Sequence, residues 1–284
     1  MKIYTNNIPS ILSNQFDFTT SPYDKDIKLA FQNESAFYGN IKSHLDVFNI
    51  PIIGGERLNK IQQYIILKQY DIRTPNTYFN NKEYTAFRSI GEFDSFCELN
   101  KFVVKPICGA RGLGVKIIDR KQFKDMLENP YDNVPTIYSK EINCQKLCEP
   151  DINHSYVEDQ FSDKQMIVQE IIEVKNEFRL ICFPEDSLIY ERKKEEGQFL
   201  GNLSHGSTPI MVDEDTINKI DSKLIYKIRC IMKRFSYPWL SVDLYVNDEG
   251  NIGVFEFQME FAYEGFNPID IRNRMETAIK SFIK

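Results

Sequence analysis

A glycine-rich loop between two predicted strands constrains the fold of this chain more than any other feature of its sequence. An apolar run at residues 103–107 carries Lys105, and a second apolar run follows at residues 115–118. The loop between the two runs contains three glycines: Gly109, Gly112 and Gly114. Glycine has no Cβ, so the backbone N–H groups of such a loop can come close to an anion. The three glycines alone favour a plain hairpin turn over a phosphate-binding loop. A strand follows where the Walker A and dinucleotide-binding motifs need a helix.

The composition is that of an ordinary globular protein. The chain has 284 residues, of which 42% are hydrophobic and 27% are charged, enough for one large domain or two to three small ones. A net charge of -6 gives little support to a nucleic-acid-binding surface. We expect no membrane span and no signal peptide, because the chain has no apolar run of the required kind. Six cysteines and three histidines show no zinc-ligand spacing, so we expect reduced thiols and a cytoplasmic protein.

Hydrophobic periodicity predicts alternating helices and strands. Residues 1–58 are expected to form a small α/β lead-in. The first clear helix begins at Lys60, with Ile61, Tyr64, Ile65 and Leu67 on its apolar side. The further predicted helices span residues 92–99, 122–127, 213–235 and 268–283. The further predicted strands span residues 166–172, 177–183, 187–192, 240–246 and 252–259.

The hairpin predicted near the C-terminus places polar side chains on one face. Asp243 lies in its first strand, and Glu256 and Gln258 lie two residues apart in its second strand. An unpaired buried carboxylate is costly, and a hard divalent cation can offset that cost because Mg²⁺ accepts carboxylate and amide oxygens. A solvated strand face with alternating polarity explains these residues equally well.

The order of these features along residues 55–267 resembles the ATP-grasp superfamily, most closely its RimK-like and glutathione-synthetase-like carboxylate–amine ligases. The motifs that carry the resemblance are the lysine and glycine loop, the segments 169–172 and 177–179, and the hairpin acids. The resemblance implies an α/β fold with three domains, in which ATP lies between the last two. These would be an N-terminal domain (residues 1–85), a lid domain (86–172) and a C-terminal domain with an antiparallel sheet and the metal site (173–284).

The resemblance also implies roles for individual residues. Lys60 and Lys105 would hold the ATP phosphates, although Lys60 taken alone is better explained as a solvated surface lysine. The glycine loop would close over the phosphates. The backbone of Glu170 and Ile172 would read adenine, and Glu177 would accept the ribose hydroxyls. The transferred phosphate and the acyl substrate would face three residues: Arg179, Arg192 and Asn202. Two Mg²⁺ ions would be held by three residues: Asp243, Glu256 and Gln258.

Arg192 also has an ordinary alternative as a solvated arginine, because it lies in a charge run at residues 191–196. Three departures from the family pattern stand out. Relatives have Asn where Gln258 stands, residues 259–266 lack the usual small turn, and the loop with His205 lacks a double glycine. The roles of Arg111, His205 and Glu264 stay open.

The resemblance implies an ADP-forming ligase that joins a carboxylate to an amine through an acyl phosphate. Its substrate would be a peptide, a protein or a small molecule. Two alternatives stay open: a kinase of the same superfamily, and a nucleotide-binding protein without ligase activity. We expect ATP and both substrates as partners, with no nucleic acid and no membrane, and the sequence leaves a homo-oligomer open.

Overall fold

A computed structural model gives the architecture of the chain. It describes residues 2–5, 12, 16–21, 27–34, 52–56, 58–79, 90–107, 115–128, 166–193, 208–212, 220, 222–259 and 266–282. Within these residues the strands form three separate sheets.

The first sheet is parallel and has the strand order β2-β1-β3-β4. Its strands are β1 (Lys2–Thr5), β2 (Asp17–Thr19), β3 (Ile27–Glu34) and β4 (Ile52–Glu56). Alternate residues such as Leu29 and Phe31 are fully buried and join the main hydrophobic core. Helix α1 (Lys60–Gln69) follows, and Asn59 and Gln62 begin it with a capping box.

The second sheet is antiparallel and has the order β5-β8-β6-β7. Its strands are β5 (Thr77–Tyr78), β6 (Lys101–Pro106), β7 (Lys116–Asp119) and β8 (Met166–Glu170). Helices α2 (Ile90–Cys97) and α3 (Arg120–Glu128) belong to the same unit. The unit has its own small hydrophobic core, in which the ring centroids of Phe102 and Phe123 lie 4.4 Å apart.

The third sheet is also antiparallel and has the order β11-β10-β9-β12-β13. Its strands are β9 (Val174–Cys182), β10 (Ser187–Lys193), β11 (Thr208–Met211), β12 (Leu240–Asn247) and β13 (Ile252–Gln258). Helices α4 (Ser222–Phe235) and α5 (Pro268–Ser281) bury apolar residues in the main core beneath this sheet. One face of the sheet therefore packs on the core, and the other carries polar residues.

Most predicted elements are present, with shifted ends. The helix predicted over residues 213–235 begins at Ser222, and Ile220 lies outside it as a buried residue. Strands β5 and β11 are additional to the prediction. The domain boundaries at residues 85 and 172 stay a prediction. No helix among the described residues is long and apolar enough to span a membrane.

Candidate functional site

The third sheet places a row of polar side chains on the face that points away from the main core. In this row Arg179 on β9 is the cross-strand neighbour of Asp243 on β12, and Asp243 is the neighbour of Glu256 on β13. The residues between them along the strands, such as Leu180 and Val242, are buried in the main core. The alternation along each strand therefore collects the charged residues on one face.

Two arginines hold the Asp243 carboxylate. Arg179 donates from Nε to Oδ1 at 2.8 Å and from Nη2 to Oδ2 at 3.0 Å. Arg192 donates from Nη1 to Oδ2 at 2.9 Å. Burial raises the pKa of the Asp243 carboxyl, and the positive charge of Arg179 acts against that rise. Burial acts to lower the pKa of the Arg179 guanidinium, but the negative charge of Asp243 and its hydrogen bonds outweigh it, so this pKa is raised. The two arginines therefore offset the free energy lost by burying this carboxylate. The sequence alone did not predict this pairing.

Arg192 is one of the most buried charged residues of the described chain, with 5% of its surface exposed. Its alternative as a solvated arginine is therefore wrong. Its Nε is buried and has no hydrogen-bond partner among the described residues. A buried, unpaired guanidinium N–H is a donor to which an anion can bind.

Lys60 approaches the same row from the start of α1. Its Nζ lies 3.9 Å from Oε2 of Glu256, and 15% of its side chain is exposed. The backbone N–H of Lys60 donates to the carbonyl of Ile107, just beyond the strand that carries Lys105, at 2.9 Å. The alternative of a solvated surface lysine is therefore wrong, because Lys60 is held between the second and third sheets.

Lys105 lies half-buried beside these charges. Burial is the main reason that the pKa of Lys105 is lowered to about 8. Lys60 also acts to lower this pKa, whereas Glu256, Glu177 and Asp243 act to raise it. Its Nζ lies over the ring of Phe255, 5.5 Å from the centroid. The cation–π contact and the neighbouring acids favour the charged form of Lys105. An added anion such as a phosphate would favour it further.

Gln63 fixes α1 to the third sheet. Its Nε2 donates to the Leu58 carbonyl at 2.8 Å, and its Oε1 accepts from the Phe257 N–H at 3.0 Å. Phe257 lies between Glu256 and Gln258 on β13, so Gln63 sets the position of Lys60 relative to those residues. The hydrophobic pattern of α1 gave no sign of Gln63, because the apolar side that it predicted consists of Ile61, Tyr64, Ile65 and Leu67.

The segment predicted to read adenine lies at the end of β8. The Glu170 carboxylate accepts from the backbone N–H of Asn76 at 2.8 Å and from its Nδ2 at 3.2 Å. The Glu170 N–H donates to the Asn76 carbonyl at 3.0 Å. The Glu170 N–H is therefore already paired, Ile172 is partly exposed, and the role of this backbone in reading adenine stays a prediction.

The donor set fits a hard cation. Asp243 and Glu256 are direct cross-strand neighbours, and Gln258 lies two residues from Glu256, opposite Ser241. In the described part of the chain no three His, Cys, Asp or Glu side chains form a metal-binding group, so the third donor of the set would be the Gln258 amide. Two carboxylates and an amide oxygen are ligands that Mg²⁺ accepts.

Several predicted site residues lie outside the described residues. They are Gly109, Gly112, Gly114 and Asn202, together with the unassigned Arg111, His205 and Glu264. Their predicted roles stay predictions. The described residues bring together Lys60, Lys105, Glu177, Arg179, Arg192, Asp243 and Glu256.

Comparison with known proteins identifies the fold. No protein-family model matches the chain, and no curated protein matches its sequence. The D-alanine–D-alanine ligase of Bacillus anthracis complexed with ATP superposes with a TM-score of 0.56, covering 100% of this chain and 97% of its own, at 17% identity. A D-cycloserine synthetase gives a TM-score of 0.54 over 100% of this chain and 99% of its own, at 13% identity.

A third solved structure is an ATP-grasp ligase in complex with a phosphomimetic variant of its minimal precursor, Mg and ADP. It superposes with a TM-score of 0.52 over 89% of this chain and 78% of its own, at 10% identity. The chain therefore has the ATP-grasp fold, and the predicted fold class is confirmed.

Proposed function

We propose that the protein is an ATP-dependent carboxylate–amine ligase that releases ADP and phosphate. The observation that carries the proposal is the convergence of four cations on the two acids of one sheet face, in a chain with the ATP-grasp fold. The four cations are Lys60, Lys105, Arg179 and Arg192. Such a cluster suits a polyphosphate, because its positive charges are fixed and largely shielded from water.

The nucleotide would be held between the second and third sheets. Lys60 and Lys105 would contact the phosphates, with the loop of Gly109, Gly112 and Gly114 over them. Glu177 would accept the ribose hydroxyls. The backbone of Glu170 and Ile172 would contact the adenine edge.

Asp243, Glu256 and Gln258 would hold two Mg²⁺ ions. When bound, Mg²⁺ neutralises part of the negative charge on the phosphate oxygens. Gln258 offers the same amide oxygen as the asparagine of relatives, on a side chain that is one methylene longer. The two carboxylates are direct cross-strand partners on β12 and β13, next to a shift in register between Asp243 and Leu244.

The chemistry needs no nucleophile from the protein. A substrate carboxylate oxygen would attack the γ-phosphorus of ATP, and the bond to the β-phosphate oxygen would break to give ADP and an acyl phosphate. An amine would then attack the acyl carbon, release phosphate and lose a proton to solvent, which leaves an amide. Arg179, Arg192 and Asn202 would stabilise the charge that develops on the phosphoryl and acyl oxygens.

A peptide or protein is one substrate class that we propose, beside small acids and amines. One structural neighbour is complexed with a variant of its minimal precursor, and another is a ligase of D-alanine, so the fold accommodates both classes. The reacting carboxylate would in either case have to reach Arg192.

Phosphate release over a panel of carboxylates and amines, with mass spectrometry of the products, tests this function. We expect ADP, phosphate and an amide for at least one pair. Glu256→Ala should reduce turnover by roughly 10²-fold or more, since it removes a proposed ligand of the Mg²⁺ that would neutralise charge on the transferred phosphate. Glu249→Ala, an exposed acid in the turn of the same hairpin, is the matched control and should retain full activity. Full activity of Glu256→Ala, or nucleotide binding without ADP formation for every pair, would contradict the proposal.

A further inference from the structure

Asp243 has two uses that compete for the same oxygen atoms. Its carboxylate accepts three hydrogen bonds from Arg179 and Arg192, at 2.8, 3.0 and 2.9 Å. A divalent cation at Asp243 needs lone pairs on these oxygens and is repelled by a guanidinium in contact with them. At least one arginine must therefore give way before Asp243 can coordinate a cation fully.

The two arginines are held differently. Arg179 makes a bidentate pair with both carboxylate oxygens, and this pairing follows from the cross-strand register of β9 and β12. Arg192 makes a single bond to Oδ2, which it shares with Arg179, and its buried Nε has no partner in the described structure. Arg192 therefore has less to lose by moving, and it has an unused donor that a second acceptor can take.

Arg192 cannot leave Asp243 without a replacement. It is 5% exposed, so a guanidinium that turned away from the carboxylate would remain a buried charge without a counter-ion. An anion beside it, such as a phosphate or a substrate carboxylate, would supply that counter-ion and satisfy the unused Nε as well.

We propose that Arg192 exchanges between Asp243 and an anionic group of the bound substrates, so that the divalent cation and the anion load the site together. This inference rests on the proposed function, because that function brings both a cation and an anion to this face. Coupling of this kind is reciprocal: the anion raises the affinity for the cation by the same factor as the cation raises the affinity for the anion. Arg192 is thus a positioning residue that delays cation binding until the nucleotide or acyl group is present.

Binding of Mn²⁺ alone, followed by electron paramagnetic resonance of the free ion, tests the exchange without any turnover. Arg192→Gln removes the competing charge from Asp243 and should bind Mn²⁺ about ten-fold more tightly than the wild type, the effect of one charge-assisted hydrogen bond. Lys193→Gln is the matched control, because it removes the same charge from the next, exposed residue of the same strand. It should stay within about two-fold of the wild type, the effect of a screened surface charge.

The converse effect is measured with a non-hydrolysable ATP analogue, whose affinity is determined with and without Mn²⁺. For each protein, the affinity with Mn²⁺ is divided by the affinity without it. Chelation of Mn²⁺ by the analogue is the same for every variant, so it cancels when this ratio is compared between a variant and the wild type. The enhancement by Mn²⁺ should be smaller in Arg192→Gln than in the wild type and unchanged in Lys193→Gln. Arg192→Lys keeps the positive charge and loses the planar guanidinium. Its enhancement by Mn²⁺ should lie between those of the wild type and Arg192→Gln, and it tests the exchange if Arg192→Gln does not fold.

Equal Mn²⁺ affinity in the wild type and in both Arg192 variants would overturn the exchange, as would weaker binding in those variants. The proposed function could still hold in that case, because the analogue would bind. Failure of every protein, including the wild type, to bind the analogue would instead contradict the proposed function and the exchange together.

Discussion

Arg179 and Asp243 form a buried, bidentate ion pair between β9 and β12, with N–O distances of 2.8 and 3.0 Å. Both residues are more than nine-tenths buried, so neither charge is screened by water. An acid in this position is fixed in place by the fold itself. It serves the stability of the sheet as well as the proposed chemistry.

Asp243→Asn should therefore destabilise the protein. Two buried guanidiniums would lose their counter-ion, which costs roughly 3 kcal/mol in the free energy of unfolding. Glu256→Gln makes the same chemical change one strand away, where the acid has a 33% exposed side chain and lies 3.9 Å from Lys60. It should cost less than about 1 kcal/mol. Denaturant unfolding of the two variants checks the difference, and equal losses would show that the arginines do not depend on Asp243.

A second prediction concerns Gln63, which holds α1 against β13. Gln63→Ala leaves the buried Phe257 N–H and the Leu58 carbonyl unpaired, and should cost about 2 kcal/mol in the free energy of unfolding. It should also weaken nucleotide binding, because Lys60 begins the same helix. Gln62→Ala is the control, since it breaks the capping box of the same helix at an exposed position and should cost about 0.5–1 kcal/mol. Calorimetric nucleotide affinity that is equal in the two variants would contradict the positioning role.

The sequence predicted this site in part, and the particular residues explain the limit. Lys60, Lys105, Asp243 and Glu256 could be predicted because their order along the chain follows a known motif series. The ion pair of Arg179 with Asp243 could not, since it depends on the register of two strands that are 64 residues apart and on β9 lying between β10 and β12. Local periodicity fixes the face on which a side chain lies, and gives no information on its cross-strand neighbour.

Helix α1 shows the same limit at shorter range. The apolar pattern placed Ile65 on the buried side, whereas the structure buries Gln63 and Ile66 instead and leaves Ile65 partly exposed. A polar residue on the buried side is invisible to a hydrophobic pattern, because its burial depends on hydrogen bonds to Phe257 and Leu58 that come from elsewhere in the fold.

A third prediction concerns the floor of the site beneath Lys105. The Tyr245 ring covers Gly253, where an added Cβ would lie 2.3 Å from the ring, and it also packs on Phe255 with centroids 4.6 Å apart. Tyr245 is buried and has little room to move. Gly253→Ala should therefore cost about 1–3 kcal/mol in the free energy of unfolding. It should also displace Phe255 from beneath Lys105, which would weaken nucleotide binding.

Gly250→Asn is the control for that substitution. Gly250 lies in the turn of the same hairpin with a φ of +80°, and nothing lies within 4 Å of an added Cβ. Asparagine tolerates this conformation, so the change should cost about 0.5 kcal/mol or less. A loss of stability for Gly253→Ala as small as that of the control would show that Tyr245 yields freely.

The last prediction is the pH dependence of nucleotide binding. Burial lowers the pKa of Lys105 to about 8, so the free protein loses this charge as the pH rises through 8. A bound phosphate favours the charged form and raises that pKa, so binding takes up a proton above pH 8 and the affinity falls as the pH rises. The dissociation constant of a non-hydrolysable ATP analogue should increase by about ten-fold between pH 7 and pH 9.

Calorimetry in buffers of different ionisation enthalpy measures this proton uptake directly. Lys105→Arg keeps the positive charge over the whole range, because the arginine pKa lies above 12. Its affinity should therefore stay nearly constant between pH 7 and pH 9, and its proton uptake should be close to zero. Burial also disfavours the charged form of Lys105 in the folded protein. Between pH 8 and pH 10.5 the unfolded chain still holds the proton that the folded chain has lost, so the free energy of unfolding should increase as the pH rises through this range. A wild-type protein with the flat profile of Lys105→Arg would show that Lys105 keeps its proton throughout this range.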